Sequence, residues 1–395
     1  MIRRQWWAWA IVALVVAAAV APLVHTWLTN PDDQRLVDLD VYRTGGQMLL
    51  DGQPVYEFFT PAPQLLPFTY PPIAAMLAVV LAEMSWSTAQ WVWTVGIFVA
   101  LAVTVGFAFR QALGRQGLRK YVPWVFAFLM VACAYLMPIR DQVRFGQVDI
   151  LLVALCLADC VAKRPWWPRG FLIGLATAVK LTPGVFLIYL LVTRQWRTFF
   201  MAAFVAAVLT LLPFAVIPRD AADFWFWALL DPERLGANAA TTNQSIRGML
   251  IRLYLPELAT SAIWLVIVAV VAWYGFRGAR AAYKANDPVT AVALAGLMAV
   301  LLSPVAWIHH LAWVVVVLGA IVGDGRDPVR LRVAAGVWLF YVVPVPWWGV
   351  SLKAADIPGV SVVLGKIVQN GFGLGALALV WLLVSWLPKR RRSPD

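Results

Sequence analysis

The sequence predicts an all-α protein that crosses a membrane many times, and three observations support that fold class. Hydrophobic residues make up 62% of the 395 positions and charged residues only 13%, whereas soluble domains contain about 45–50% apolar and about 25% charged residues. Apolar runs that approach the roughly 20 residues needed to cross a bilayer recur along the chain. The 22 tryptophans fit the same interpretation, because indole rings favour the membrane–water interface. The apolar runs are Trp6–Leu28, Trp86–Phe109, Phe199–Ile217, Ala262–Trp273, Leu331–Val350 and Gly371–Leu387.

Basic residues between the apolar runs predict the orientation of the chain. Seven short segments hold 21 of the 32 Lys and Arg residues, and the positive-inside rule places these segments in the cytoplasm. They include Arg3–Arg4 and Lys389–Arg392, so we expect both termini inside and an even number of crossings. The net charge of +12 is then a topology signal and not a sign of nucleic-acid binding. The polar segments that face outward are residues 29–70, 139–149, 218–257 and 351–358.

We predict about twelve crossings in one domain, residues 1–395, in the plasma (inner) membrane. Residues 29–70 form a first external loop and residues 218–257 a second one. Pro72–Glu83 is expected to be a re-entrant or interfacial helix. Residues 169–193 hold two apolar segments, each too short to cross, on either side of "KLTP". They predict a broken helix, which survives at membrane depth only where it is buried in protein or lines a wet cavity.

The first external segment contains the motif "VDLDVYRTGG" at residues 37–46. Asp38 and Asp40 are two positions apart, so their side chains share a face on a strand and diverge on a helix. Either carboxylate could act as a general base toward a sugar hydroxyl held within hydrogen-bond reach. The alternative is that both are simply solvated in a loop.

A second polar cluster, "PIRDQVRFGQVDILL" at residues 138–152, lies where a span should begin. Its polar side chains either anchor the chain at the interface or form a site for an anion or a sugar. The candidate binding residues of this cluster are Arg140, Arg144, Gln147 and Asp149.

Lys180 lies between the two half-length apolar segments, in "GLATAVKLTPGVF". An ammonium inside a membrane is costly and suggests function, although the side chain could also extend to the interface. A half-helix that starts at Thr182–Pro183 would place its free N–H groups beside Lys180. Together these groups predict a phosphate site.

Two later motifs add candidate ligands. "TTNQSIRG" suits hydroxyl or phosphate binding, through Asn243, Gln244, Ser245 and Arg247. "SPVAWIHH" ends with His309 and His310, which point about 100° apart on a helix. Because no carboxylate lies four positions away, no metal site is expected. The pair either binds a phosphate, donates to a leaving oxygen, or has a structural role.

Six motifs in this order resemble one known family. They are "VDLDVYRTGG…LLDGQPVY", "FTYPP", "FGQVDILL", "GLATAVKLTP…RQWR", "NQSIRG" and "SPVAWIHH". The set is similar to the GT87 glycosyltransferases, which are polyprenyl-phosphate-mannose-dependent α-(1→2)-mannosyltransferases of mycobacteria and their relatives. The resemblance runs from about residue 36 to residue 313.

The resemblance implies a GT-C fold with a catalytic pocket at the external membrane surface. It also implies a polyprenyl-phosphate-mannose donor and an envelope acceptor, either a phosphatidylinositol mannoside or lipomannan/lipoarabinomannan. The family's acid in Asp-x-x-Val-Tyr falls on Asp38, which becomes the catalytic base, with Asp40 and Tyr42 beside it in the substrate site. One position departs from the family, because Asp149 stands where Asn is common.

The implied reaction inverts the configuration at the anomeric carbon of the sugar and needs no metal. Asp38 would deprotonate the acceptor, while the available cations and donors stabilise the departing phosphate. No diphosphate is released, so no Mg²⁺ and no cofactor are expected. A lipid-linked-sugar or polar-lipid transporter or flippase remains an alternative, as does a GT-C enzyme for another polyprenyl-phosphate sugar. The candidates for phosphate stabilisation are Lys180, Arg144, Arg247 and His310.

Overall fold

A computed structural model describes residues 6–31 and 34–392, without the side chains of residues 6, 232–233 and 391–392. Arg3 and Arg4, which entered the orientation prediction, lie outside the described residues. The described residues form 21 α-helices and no β-strand. The predicted all-α fold class is therefore confirmed.

The first eleven helices cover the chain up to residue 216. They are α1 (Trp6–Leu28), α2 (Val37–Leu50), α3 (Pro72–Ala82), α4 (Trp86–Ala108), α5 (Arg110–Leu113), α6 (Val122–Ala134), α7 (Met137–Phe145), α8 (Asp149–Val161), α9 (Phe171–Val179), α10 (Val185–Val192) and α11 (Trp196–Val216). The remaining helices are α12 (Pro218–Phe226), α13 (Ile246–Ile251), α14 (Glu257–Lys284), α15 (Pro288–Leu301), α16 (Val314–Val322), α17 (Pro328–Val342), α18 (Val345–Ala354), α19 (Ser361–Gln369), α20 (Gly371–Trp381) and α21 (Leu387–Arg392).

The structure confirms a helical membrane protein but does not support about twelve spans. Within the described residues, six helical segments are long and apolar enough to cross, and α17 with α18, bent by 53°, would make a seventh. Two of the predicted crossings are instead α15 and α16, which are short and packed inside the protein. Apolar composition alone does not distinguish a helix buried by protein from one buried by lipid. The six segments are Trp7–Leu28, Trp86–Ala108, Gln116–Ala134, Trp196–Val216, Glu257–Lys284 and Gly371–Arg390.

The core of the protein lies around α15 and α16. Helix α15 is buried from Val289 to Leu301, and α16 is buried from Val314 to Ile321. Helix α15 packs against α8, α10, α14 and α20, while α16 packs against α4 and α17. A helix that is apolar on all sides must be covered on all sides, and these neighbours provide the cover.

The two segments that the sequence predicted as external loops contain helices. Residues 29–70 contain α2, which packs closely on α3. The contact needs a glycine, because a Cβ at Gly46 would lie 2.6 Å from the carbonyl oxygen of Ala78. Residues 218–257 contain α12 and α13. The motif with Asp38 and Asp40 therefore forms the first turn of a helix.

The helix break predicted at "KLTP" is present. Helix α9 ends at Val179, and Lys180 has extended backbone angles. A 3-10 turn at Thr182–Gly184 then leads into α10. The start of α9 is fixed by Asp159, whose carboxylate accepts hydrogen bonds from the N–H groups of Gly170 (2.9 Å) and Ile173 (3.0 Å). The break thus places Lys180 between two anchored half-helices.

Close packing of α16 on α4 gives a testable stability prediction. A Cβ at Gly319 would lie 2.5 Å from the carbonyl oxygen of Ala108, whereas Gly336 in α17 has open space around it. We expect Gly319→Ala to lower the free energy of unfolding by about 1–3 kcal/mol, as overpacking does. Gly336→Ala should be neutral or stabilising by about 0.5–1 kcal/mol, because alanine is the better helix residue. Thermal unfolding in detergent measures both, and equal effects would contradict the packing.

Candidate active site

A cavity of about 1190 Å³ opens between α2, α7, the break after α9 and the segments that precede α13 and α16. It exceeds the roughly 300–1,000 Å³ of ordinary ligand pockets, so it has room for two substrates. Residues from five of the six sequence motifs meet on its wall. The predicted site residues that line it are Asp38, Gln147, Lys180, His309 and His310.

The two acids of the first motif face different spaces. Asp38 lines the large cavity. Asp40 lines a second cavity of about 300 Å³ on another side of α2. This is the divergence expected for residues two apart on a helix, so only Asp38 faces Lys180 and the histidines.

A buried hydrogen-bond network orients Asp38. The carboxylate is hydrogen-bonded by the side chain of Gln147. The Oε1 atom of Gln147 accepts from the hydroxyls of Tyr42 (3.2 Å) and Tyr70 (3.3 Å), which are themselves 2.9 Å apart. With its oxygen held by two tyrosines, Gln147 has its NH₂ group available to donate to Asp38. Tyr42 is therefore buried behind the acid and does not line the cavity.

The surroundings of Asp38 make its carboxylate unusually basic. Desolvation raises the pKa of Asp38 to about 7, against the opposing effects of the Gln147 hydrogen bond and the positive charge of Lys180. Helix α2 is not one of the candidate spans. A base is most effective when its pKa lies near the working pH, so Asp38 is suited to proton abstraction near neutrality.

Lys180, which lines the cavity, forms an ion pair with Asp149. Nζ of Lys180 donates to both carboxylate oxygens of Asp149, at 2.8 and 3.0 Å. The ammonium also lies 5.4 Å from the ring centroid of Tyr70. Both side chains of the pair are largely buried, where salt screens charges weakly. The carboxylate favours the charged form of Lys180 and fixes its position.

His310 and Lys180 place two hydrogen-bond donors side by side. The backbone N–H of Trp307 donates to Nδ1 of His310 over 3.1 Å, so the neutral ring carries its proton on Nε2. Nε2 lies 3.1 Å from Nζ of Lys180. An N–H group and an ammonium cannot satisfy each other, because both are donors. An oxygen that accepts from both would complete the arrangement.

Three of these side chains could also hold a metal ion. Ligand atoms of Asp149, His309 and His310 lie within 4.8 Å of one another, although the sequence placed no carboxylate near the histidines. Nε2 of His309 is buried and, among the described residues, has no hydrogen-bond partner. However, the ammonium of Lys180 already contacts Asp149 at 2.8 Å. A cation at Asp149 would have to displace it.

Three predicted arginines lie outside the cavity wall. The guanidinium of Arg144 lies 5.2 Å from the ring of Trp27, and that of Arg247 lies 5.7 Å from the ring of Trp264. Nε of Arg140 is buried without a hydrogen-bond partner in the described residues. The aromatic contacts of Arg144 and Arg247 fit interfacial anchoring.

The three polar residues of "NQS" are completely buried. Oδ1 of Asn243 accepts from the N–H of Ala306 (3.1 Å), and the N–H of Gln244 donates to the oxygen of Ala306 (2.7 Å). Oγ of Ser245 donates to the oxygen of Pro304 (2.8 Å). These bonds tie the segment before α13 to the one that carries the two histidines. A substrate-binding role for the three residues stays a prediction.

Sequence reasoning missed an aromatic and basic part of the wall. Arg234 lines the cavity, donates to the backbone oxygen of Tyr56 (2.9 Å) and lies 4.9 Å from the ring of Trp227. Trp307 lines the cavity nearby. Arg234 and Trp227 carry no spacing signal, so only the aromatic richness of 218–257 could have suggested them, whereas Trp307 lies within the motif "SPVAWIHH".

Comparison with known proteins identifies the family. The model of glycosyltransferase family 87 matches residues 68–304. A polyprenol-phosphate-mannose-dependent alpha-(1-2)-phosphatidylinositol mannoside mannosyltransferase of Mycolicibacterium smegmatis is 36% identical, over 86% of this chain and 82% of the relative. The Mycobacterium tuberculosis protein of that name is 34% identical, over 85% and 82%. No solved structure matches the chain.

A second relative from Mycolicibacterium smegmatis is named for a longer acceptor. This polyprenol-phosphate-mannose-dependent alpha-(1-2)-phosphatidylinositol pentamannoside mannosyltransferase is 30% identical, over 85% of this chain and 81% of the relative. The family model covers more than half of the chain, and the relatives extend over most of it. The chain belongs to glycosyltransferase family 87 and is a membrane glycosyltransferase.

Proposed function

We propose that the protein transfers mannose from polyprenyl-phosphate-mannose to a phosphatidylinositol mannoside, forming an α-(1→2) bond. The names of the mycobacterial relatives support this donor and acceptor. The observation that carries the proposal is the cavity itself, whose lining combines a basic carboxylate with two converging donors. Lipomannan or lipoarabinomannan is the alternative acceptor.

Asp38 acts as the general base. Its carboxylate takes the proton of an acceptor hydroxyl, whose oxygen forms the new bond to the anomeric carbon. The bond from that carbon to the phosphate oxygen breaks, and its electron pair leaves with the polyprenyl phosphate. Attack from the face opposite the phosphate inverts a β-linked donor to an α-glycoside.

Lys180 and His310 stabilise the leaving phosphate. The lost glycosyl bond leaves a second negative charge on the phosphate, and an oxygen of that group accepts from Nζ and Nε2 together. Donors fixed before the reaction stabilise such developing charge without reorganisation. Because the ammonium supplies the positive charge beside Asp149, the reaction needs no metal ion.

The reaction takes place on the external face of the plasma membrane. The positive-inside rule supports this side, since Asp38 and Gln147 on the cavity wall fall in the polar segments 29–70 and 139–149 that it places outside. With the active site on the external face, both termini lie in the cytoplasm.

Removal of the base tests the mechanism most directly. We expect Asp38→Asn to lower kcat by about 10²–10⁴-fold, the usual contribution of a general base. Transfer of radiolabelled mannose from polyprenyl-phosphate-mannose to phosphatidylinositol mannoside is the measurement. Asp51→Asn, at the exposed end of the same helix, is the matched control and should keep full activity. If Asp40→Asn abolishes transfer and Asp38→Asn does not, Asp40 is the base.

The pH profile tests the raised pKa of Asp38. A carboxyl group with a pKa of about 7 is protonated below that pH and cannot accept the acceptor proton. We expect kcat/KM to rise tenfold per pH unit below about pH 7 and to level off above it. A flat profile between pH 5 and pH 8 would contradict an essential base with this pKa.

Chelation tests the role of metal. With Lys180 paired to Asp149, activity should be unchanged in EDTA and should not increase with Mn²⁺ or Mg²⁺. Loss of transfer in EDTA, with recovery on addition of Mn²⁺, would instead assign a bound ion to Asp149, His309 and His310.

A further inference from the structure

A second cavity lies beside the first turns of α2, away from the ion pair. Its volume of about 300 Å³ is at the lower limit for ligand pockets. Val37 and Gln64 line both this cavity and the large one, so the two spaces are neighbours. The side chains around it are polar and aromatic: Arg35, Asp40, Arg43, Thr60, Gln64 and Trp86.

The cavity lies at one end of a candidate membrane span. Trp86 is the first residue of α4, a candidate membrane span, and its indole lines the cavity. Tryptophan at the end of a span marks the membrane–water boundary. A ligand in this space would therefore be the polar part of a lipid or a group attached to it.

Arg43 supplies the cation that can meet an anion in this cavity. Arg35 also lines the cavity but donates to a backbone oxygen (2.8 Å), and the carboxylate of Asp40 interacts with the charge of Arg43. Nη2 of Arg43 donates to the backbone oxygens of Met84 (3.1 Å) and Ala82 (3.5 Å). These bonds hold the guanidinium at the cavity wall, and a planar guanidinium matches phosphate oxygens.

We propose that this cavity binds the phosphodiester of an anionic lipid headgroup, with Arg43 as the main donor. Asp40 accepts a hydrogen bond from a hydroxyl of the same headgroup. The phosphodiester belongs either to the glycolipid acceptor, which rests on the proposed function, or to a surrounding phospholipid. In the first case the cavity holds the acceptor's phosphate while its sugar reaches Asp38.

Direct binding tests the site without turnover. The probe is short-chain dioctanoyl phosphatidylinositol, with uncharged dioctanoylglycerol as its control, titrated into the detergent-purified full chain. Arg43→Gln should weaken binding of the phospholipid by about tenfold or more, the loss of one charge-assisted hydrogen bond, and leave the diacylglycerol unaffected. Arg43→Lys, which keeps the charge and loses the fork, should be intermediate. Lys366→Gln removes an external positive charge outside both cavities and should bind like wild type. Equal phospholipid affinity in wild type and Arg43→Gln would overturn the proposal.

Transfer kinetics then identify the source of the phosphodiester. If it belongs to the acceptor, Arg43→Gln raises KM for phosphatidylinositol mannoside about tenfold at unchanged kcat and leaves KM for octyl mannoside unaltered. If it belongs to the bilayer, both KM values rise together, and activity stops depending on the phosphatidylglycerol content of the vesicles. Unaltered KM values in every arm would overturn the proposal. Absence of transfer by wild type would count against the proposed function and leave the binding result standing.

Discussion

The ion pair between Asp149 and Lys180 is the interaction on which the active-site wall depends. It joins the start of α8 to the break between α9 and α10, and it places the ammonium 3.1 Å from His310. Removing one partner of a buried pair costs about 3–5 kcal/mol, because the other charge is left uncompensated. The pair therefore stabilises the break and fixes the position of Lys180 relative to His310.

Helix α2 decides which acid belongs to the catalytic cavity. Its glycine contact with α3 fixes the helix, and the helical turn then sends Asp38 and Asp40 to separate cavities. The tyrosine and glutamine network behind Asp38 holds the carboxylate in one direction while burial raises its pKa. In the two proposals made above, one helix therefore supplies the base on one side and part of the anion-binding cavity on another. The two functions share a rigid element, so the acceptor could be aligned by both at once.

The sequence predicted the membrane class, the helix break and the side chains that converge, because each leaves a local signal. These signals can be recognised from the order of residues alone. They are the length of the apolar runs, a lysine between two half-helices and a polar pair after Ser-Pro. The number of spans could not be predicted in this way, since α15 and α16 are as apolar as true spans but are covered by protein. The partnership of Asp149 with Lys180 and His309 was also invisible, because it joins residues from three distant segments. Arg234 and Trp227 gave no pattern at all.

Charge balance at Lys180 explains how the site can favour the product of bond cleavage over the donor. Asp149 neutralises the ammonium. The backbone N–H of Trp307 donates to Nδ1 of His310 and thereby fixes the tautomer of the neutral ring. The wall therefore has little net charge to attract the singly charged phosphodiester of the donor. Its two donors instead stabilise an oxygen whose negative charge grows as the glycosyl bond breaks. Such preferential binding of the transition state accelerates a reaction. With Asn at 149, as the family resemblance would lead one to expect, the ammonium would lack its counter-charge and would attract the donor phosphodiester as well as the leaving phosphate. In the proposed mechanism, Asp149 thus weakens the attraction of the donor's charge and leaves two directed hydrogen bonds for the departing oxygen.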